Sequence, residues 1–330
     1  MRSVYTIGEA LIDFIPAETG IPLKQVSGFG KAAGGAPANV ACTVAKLGGR
    51  SFFIGKLGED AFGDFLVETM EQSGVDTRYV FRTLEANTAL AFVSLQADGS
   101  RDFSFYRKPS ADMLLNETDI GACEFGLGDV LHFGSVDLIE APVKYAHLRA
   151  IEAVKRSGGF ISFDPNVRLP LWKSAEECRQ TIQAFIPYSH MVKISDEELA
   201  FITGIEDEAA AISSLFIGSV KHVLLTRGAQ GATWFTLGGT RKVSDLGCAV
   251  KAVDTTGAGD SFIGAVLFQL SVDAADPHSF TDEQMRRMLR FANAAAALTT
   301  TRYGAIPSLP AHAEVLSFMN TYEASKVGTD

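Results

Sequence analysis

The stretch DVLHFGSVDLIEAPVKYAHLRAIEAVKRSGGFISFD, Asp129 to Asp164, decides the fold. Its ends, VLHF and FISF, are apolar runs of strand length, and PVKYAHLRAIEAVKR between them carries apolar residues at helical spacing. The rhythm continues: AEECRQTIQAFI reads as a helix, MVKI as a strand, DEELAFIT as a helix and KHVLLT as a strand. Strands separated by helices imply right-handed crossovers and a mostly parallel sheet covered on both faces. The expected class is therefore α/β.

One segment breaks the rhythm. LAFVSLQADGSRDFSFYR, Leu90 to Arg107, alternates as two strands around a turn at Asp98 and Gly99, with no helix between them. An irregular Pro- and Gly-rich segment lies between Phe14 and Gly30. Segments of about 14–30 and 88–108 are read as a small β lid over the carboxyl edge of the sheet, where open α/β folds bind ligands. The plain alternative is an ordinary edge hairpin. No repeat and no low-complexity linker divides the chain, so residues 1–330 are expected to form one domain.

Composition narrows the function. Over 330 residues, 47% are hydrophobic and 21% charged, as in a globular enzyme, and the net charge of -10 argues against nucleic acid or an anionic membrane as partner. The opening MRSVYTIGEALIDFIP is interrupted by Glu9 and Asp13, so it reads as neither a signal peptide nor a membrane span, and the cytoplasm is the expected compartment. Cys42, Cys123, Cys178 and Cys248 form no CxxC pair, and the histidines show no metal spacing.

Two common phosphate motifs fail. GFGKAA, Gly28 to Ala33, matches a permissive dinucleotide fingerprint, but no clear strand precedes it and Pro37 interrupts a helix begun at Lys31. In IGKLG, Leu57 stands where a P-loop needs Ser or Thr, and Arg50 occupies the first glycine position. A nucleotide must be held otherwise.

AGGAPANVACTVAKLGG reads as a glycine elbow, Gly34 and Gly35, entering a helix with Pro37 in its first turn. Such glycines let amides approach a ligand, and Asn39 offers an amide to a hydroxyl; a tight turn before a capped helix is the plain alternative. In FDPNVRLPLW the loop after the strand places Asn166 and Arg168, the latter a fork suited to phosphate oxygens or to a surface ion pair. Ser195 and Glu198 in KISDEEL match a helix capping box, a role at least equal to ligand binding for Ser195. LLTRGAQGATWF sets Thr226, Gly228 and Gly231 around a strand-end turn.

KAVDTTGAGDSFIGAVLFQL, Lys251 to Leu270, carries the most chemistry. If a helix begins near Gly259, the amides of Gly257, Ala258, Gly259 and Asp260 are its orphan donors at the positive end of the dipole, an anion hole. The Asp260 carboxylate stands beside that hole. Phosphoryl transfer to an alcohol needs this pair: donors for charge on the transferring group, and a base for the hydroxyl proton. Asp254 and Thr256 offer oxygens to a hard cation.

GGAPANVA and VDTTGAGDSF resemble the two signatures of the ribokinase-like, or PfkB-type, carbohydrate kinases, and the likeness runs from end to end. That resemblance implies a three-layer α/β/α core with a β lid, ATP as donor with Mg2+, and K+ as a frequent monovalent partner. It assigns Asp260 as catalytic base and Gly257 to Gly259 as the anion hole. Asp13, Gly34, Gly35 and Asn39 would hold sugar hydroxyls, with Arg168 near them. Lys193, Glu198, Thr226, Gly228, Gly231 and Asn293 fall in the nucleotide and Mg2+ region. The cation loop would use Asp254 and Thr256 with Thr299, Arg302, Gly304 and Ser308. GEALIDFIP, RKPSADMLL, FDPNVRLPLW and VKISDEELAFITG most resemble the fructokinases of that family, which implies transfer to O6 of D-fructose. Aminoimidazole riboside, 2-keto-3-deoxygluconate and ribose are the alternative acceptors. Phe105 and Arg107, on alternate positions of one strand, are expected to face the sugar from the lid. Many relatives carry Asn where this chain has Ser195. The expected partners are the sugar and ATP, with no nucleic acid and no membrane; a homodimer is left open.

Overall fold

The computed structural model describes residues 1–16, 18, 20–95, 101–273 and 279–327. The turn expected at Asp98 and Gly99 lies outside the described residues. The chain opens with β1 (Ser3–Ile7), β2 (Leu11–Pro16), β3 (Phe29–Gly34), α1 (Ala36–Lys46), β4 (Arg50–Gly58), α2 (Ala61–Gln72) and β5 (Asp76–Thr83). It continues through β6 (Leu90–Leu95), β7 (Arg101–Tyr106), α3 (Glu117–Ile120), β8 (Val130–Phe133), α4 (Pro142–Arg156), β9 (Phe160–Phe163) and α5 (Ala175–Phe185). Then follow β10 (Met191–Ser195), α6 (Asp196–Thr203), α7 (Glu208–Ser214), β11 (His222–Thr226), β12 (Ala232–Thr236) and β13 (Arg241–Asp245). Three helices close it: α8 (Ala258–Val272), α9 (Asp282–Thr300) and α10 (His312–Val327).

Nine strands form one sheet in the order β13-β12-β11-β10-β9-β8-β1-β4-β5, parallel except where β12 and β13 run antiparallel. Its inner strands are apolar on both faces, and alternate residues feed two different cores. Leu131, Ile161, Val192 and Ile194 pack with α4, α5, α6 and α7, whereas Val130, Phe160, Met191 and Leu224 pack with α1, α8 and α9. That two-sided burial is what parallel crossovers require, and it makes the core an α/β/α sandwich. α8 is nearly continuous apolar sequence and is buried along its length, as an all-round hydrophobic helix must be.

The second sheet has four strands in the order β3-β2-β6-β7. β6 and β7 pair antiparallel as the alternation predicts. The other two strands flank the irregular 14–30 segment instead of filling it, because the alternating apolar positions belong to Leu11–Pro16 and Phe29–Gly34. The Gly28–Ala33 stretch is thus mostly strand, not a phosphate loop. No helix among the described residues is long and apolar enough to cross a membrane.

Candidate active site

The carboxyl ends of β1, β8, β9 and β10 converge with the start of α8 and one face of the small sheet around a cavity of about 410 Å³. Asp13, Gly35, Asn39, Phe105, Arg168, Lys193, Gly257, Gly259 and Asp260 line it, bringing together motifs more than 200 residues apart. Asp13 and Phe105 share a face of the small sheet, since both pair with Ala91 across β6. A second cavity, of about 390 Å³, lies at the amino end of β11 between His222 and Phe280 and holds none of the motif residues.

Gly257, with φ of 78°, is the residue before α8, in the left-handed region, and a Cβ there would lie 3.2 Å from the Cβ of Ala305. Glycine is needed for both reasons. Ala258 already donates its amide to the Thr255 carbonyl at 3.2 Å, so the anion hole falls to the amides of Gly257, Gly259 and Asp260. Asp260 stands in the first turn of α8. Its Oδ2 accepts from Asn39 Nδ2 at 2.8 Å, so Asn39 is spent on orienting this carboxylate at least as much as on a ligand. Burial pushes the Asp260 carboxyl up, against the Asn39 hydrogen bond and the charges of Lys193 and Arg168.

Lys193 reaches into the same space from β10. A Cβ on Gly259 would lie 3.2 Å from its Nζ, so the ammonium lies beside the helix start and adds positive charge there. Asp164, at the end of β9, holds that ammonium at 2.9 Å, and both side chains are buried. Burial raises Asp164 to about 6 despite Lys193. Sequence reading left Asp164 out, and it put Lys193 with the nucleotide region; the fold brings it to the anion hole itself.

The glycine elbow is built around Asp13. A Cβ on Gly34 would sit 2.2 Å from Asp13 Oδ2, and one on Gly35, at φ 103°, 2.5 Å from the Glu9 carbonyl oxygen. Gly34 therefore makes room for the carboxylate, while Gly35 lines the cavity. Arg168 also lines it and has no carboxylate partner among the described residues, which removes the surface ion pair reading. Glu9 and Leu171 are lining residues that the sequence pattern did not single out; Asn166, which it placed beside Arg168, lines the cavity with a positive φ of 45°.

Arg107 is a correction. The strand ends at Tyr106, so the alternation stops one residue short, and Arg107 turns into a buried ion-pair cluster with Asp112 and Asp137 and does not line the cavity. Glu198 is fully engaged as well: Oε1 accepts the Val167 amide at 2.7 Å and Oε2 the Ser195 amide at 3.0 Å and hydroxyl at 2.8 Å. It braces the loop that carries Arg168, and Ser195 serves the capping box. Burial would raise the Glu198 carboxyl, but Lys193 and these amides hold it below its ordinary range.

Thr226, Gly228 and Gly231 form a shelf past Lys193 at the ends of β11 and β12. Gly231, at φ 91°, passes so close to β13 that a Cβ would lie 2.2 Å from the Asp245 carbonyl oxygen. Asn293 on α9 donates to that carbonyl at 3.2 Å and to the Leu246 carbonyl at 3.4 Å, fixing the loop after β13. None of these four, nor Glu198, lines the 410 Å³ cavity.

The two loops expected to hold a cation do meet beside α8. Asp254, buried, accepts the Thr256 amide at 2.8 Å and the Gly304 amide at 3.0 Å, and the Thr300 carbonyl accepts the amides of Val253 and Asp254. Thr299 donates to the Ala295 carbonyl and Ser308 to that of Ala305. Arg302 points away, pairing with Glu314 at 2.6 Å. Among the described residues no cluster of three or more His, Cys, Asp or Glu suits a metal ion. A cation here would depend chiefly on backbone carbonyls, a donor set that suits a weakly hydrated monovalent ion better than Zn2+.

The chain is similar to known proteins along nearly its whole length. Probable fructokinase-2 of Arabidopsis thaliana is 46% identical over 319 residues, covering 96% of this chain and 95% of that protein. A fructokinase double mutant from Vibrio cholerae O395, solved with fructose, ADP and potassium ion, superposes with a TM-score of 0.86 at 36% identity, covering 97% of this chain and 98% of that one. Fructokinase from Xylella fastidiosa, solved with bound ATP, gives a TM-score of 0.87 at 35% identity, covering 97% and 99%. The family model described as pfkB family carbohydrate kinase matches residues 1–312, which takes in both glycine signatures and every strand of both sheets, and the chain belongs to that family.

Proposed function

We propose that this sugar kinase transfers the γ-phosphoryl group of ATP to O6 of D-fructose, giving fructose 6-phosphate and ADP. The observation that carries the reading is Asp260, held by Asn39 within one cavity that also contains the amides of Gly257 and Gly259, Lys193 and Asp13. Fructokinase relatives over nearly the whole chain support the choice of sugar. In this reading Asp260 takes the O6 proton, the α8 amides and Lys193 meet the charge on the transferring group, and Asp13 accepts from sugar hydroxyls. The small sheet acts as a lid on a single kinase domain spanning residues 1–330. ATP would lie along the Thr226–Gly231 shelf toward Asn293, and Mg2+ carried by its phosphates would supply further positive charge. The aromatic face of the lid, with the half-buried Phe14 stacked on Phe92 at 4.9 Å and the exposed Tyr106 beside them, supports a homodimer. Cys42, Cys123 and Cys178, which are free thiols, fit a reducing cytoplasm.

ADP formation with a panel of fructose, ribose, glucose, 2-keto-3-deoxygluconate and aminoimidazole riboside tests the assignment. Fructose is expected to have the highest kcat/KM; another acceptor exceeding it by about tenfold overturns the sugar and leaves the kinase. Asp13→Ala should raise the fructose KM by about 10- to 100-fold and the ATP KM far less, since hydrogen bonds to a charged group are worth about 1.5–3 kcal/mol.

We also propose that K+ sits between the Asp254–Thr256 and Thr299–Ser308 loops. It would stiffen the residues that lead into Gly257. Activity is expected to rise with K+ and much less with Li+ or Na+, because cavity size and ligand number select among hard cations. Equal rates in all three salts at one ionic strength would remove the ion.

A further inference from the structure

Four buried ionisable groups meet at the root of the small sheet, behind the cavity. Glu9 lies where the chain enters that sheet after β1, and Arg107 where it leaves after β7. Asp112 sits in the short 3-10 segment Ala111–Leu114, and Asp137 in the loop after β8. None is more than 5% exposed. Arg107 Nη2 donates to both Asp112 and Asp137, and Ser110 Oγ donates to the other oxygen of Asp112. Glu9 Oε1 accepts the amide of Ala36, the first residue of α1, at 3.1 Å.

With ordinary protonation this cluster would hold three negative charges against one positive, away from water. Burial penalises such an excess far more than one guanidinium offsets, so a carboxyl here keeps its proton. The hydrogen bonds indicate which one. Both oxygens of Asp112 are bonded, whereas Asp137 Oδ2 is buried with no hydrogen-bond partner among the described residues. A bare charged oxygen in that position would be the least compensated in the cluster.

We propose that Arg107 is a positioning residue for the sugar pocket, acting through Glu9, and that the cluster works with a proton retained on Asp137. This rests on reading the cavity as the fructose site. Glu9 links the two: it is one of the residues that line the cavity, and its carbonyl lies against Gly35 so closely that no Cβ fits between them. Any shift of Glu9 moves the elbow that shelters Asp13. The charged groups facing Asp137 are Arg107 from just past β7, Asp112 from the 3-10 segment and Glu9 from the β1–β2 loop. Burial, then Asp112, holds the Asp137 carboxyl well above its ordinary range, against Arg107. Burial likewise pushes Glu9 up to about 7. Raised pH removes these protons, adds negative charge around one cation and drives Glu9 from the cluster. Fructose binding then weakens while the distant ATP shelf is unaffected.

The test is the KM for fructose and for ATP measured from pH about 6 to about 10 in the wild type, Asp137→Asn and Arg107→Lys. The wild-type fructose KM is expected to rise about tenfold toward the alkaline end, with the ATP KM within about twofold. Asp137→Asn, whose amide imitates a protonated carboxyl, should fold and lose most of that rise. Arg107→Lys keeps the charge on a shorter side chain whose ammonium falls short of the Nη2 position that meets both carboxylates, so it should raise the fructose KM about tenfold with little change in the ATP KM. The proposal fails if the rise is absent or survives intact in Asp137→Asn, if that variant does not fold, or if Arg107→Lys leaves the fructose KM unchanged or moves both KM values together. Failure of the fructose reading looks different: no ADP release with fructose from the wild type at any pH.

Discussion

Asp260→Asn is expected to lower kcat by about 10²- to 10⁴-fold, the range by which a positioned general base accelerates proton transfer. The substitution keeps the side chain's shape but leaves nothing basic at the helix start to accept the O6 proton. The KM for fructose should change little, because Asp13 on β2 and Gly35 before α1 come from elements other than α8. Folding should also survive, since Asn at the first turn of α8 removes a partly buried charge, although Asn39 must then turn its carbonyl toward the new amide. The pH profile adds a second readout. Burial raises the Asp260 carboxyl, so protonation on acidification begins above the usual carboxylate range and wild-type kcat/KM should start to fall correspondingly early. In Asp260→Asn the part of that acid limb due to the base disappears. Near-normal turnover in the variant would take Asp260 out of the base role.

The parts of this arrangement that were legible in the sequence are those governed by local rules. Buried parallel strands read as apolar runs between amphipathic helices, so β8 through β11 were visible, and the glycines at 257 and 259 before an apolar helix announced a helix start open to an anion. Pairings between distant segments were not legible. Asp164 reads as a strand terminus, and only the fold sets it 2.9 Å from the Lys193 ammonium. Glu9 looks like a polar break in an apolar run, yet it is 4% exposed and feels the charge of Arg107, nearly 100 residues later. Arg107 was misread for a physical reason: period-two alternation holds only inside a strand, and β7 ends at Tyr106. Gly34 and Glu198 were expected to touch ligands; one clears space for Asp13 and the other gathers the amides of Val167 and Ser195.

Lys193→Met should cost kcat about 10²- to 10³-fold, comparable with removing one donor from a preorganised oxyanion site. Its stability cost is separable. Removing one partner of a buried pair typically costs about 3–5 kcal/mol, because Asp164 is left buried with Oδ1 already lacking a hydrogen bond. Asp164 titrates near 6 even with Lys193 present, above its unfolded value, so the native state binds that proton more tightly than the unfolded chain does. Its contribution is therefore fully present at acid pH and is lost as pH rises through about 6. Without the ammonium the folded value moves higher still, and the loss extends into neutral and alkaline pH. Lys193→Met should consequently melt lowest, relative to wild type, at alkaline pH. Adding Asp164→Asn removes the orphaned charge and should recover much of the melting temperature, while kcat stays low because no cation has been returned to the start of α8. Recovery of kcat together with stability in the double variant would show that Lys193 serves the fold and not the phosphoryl group.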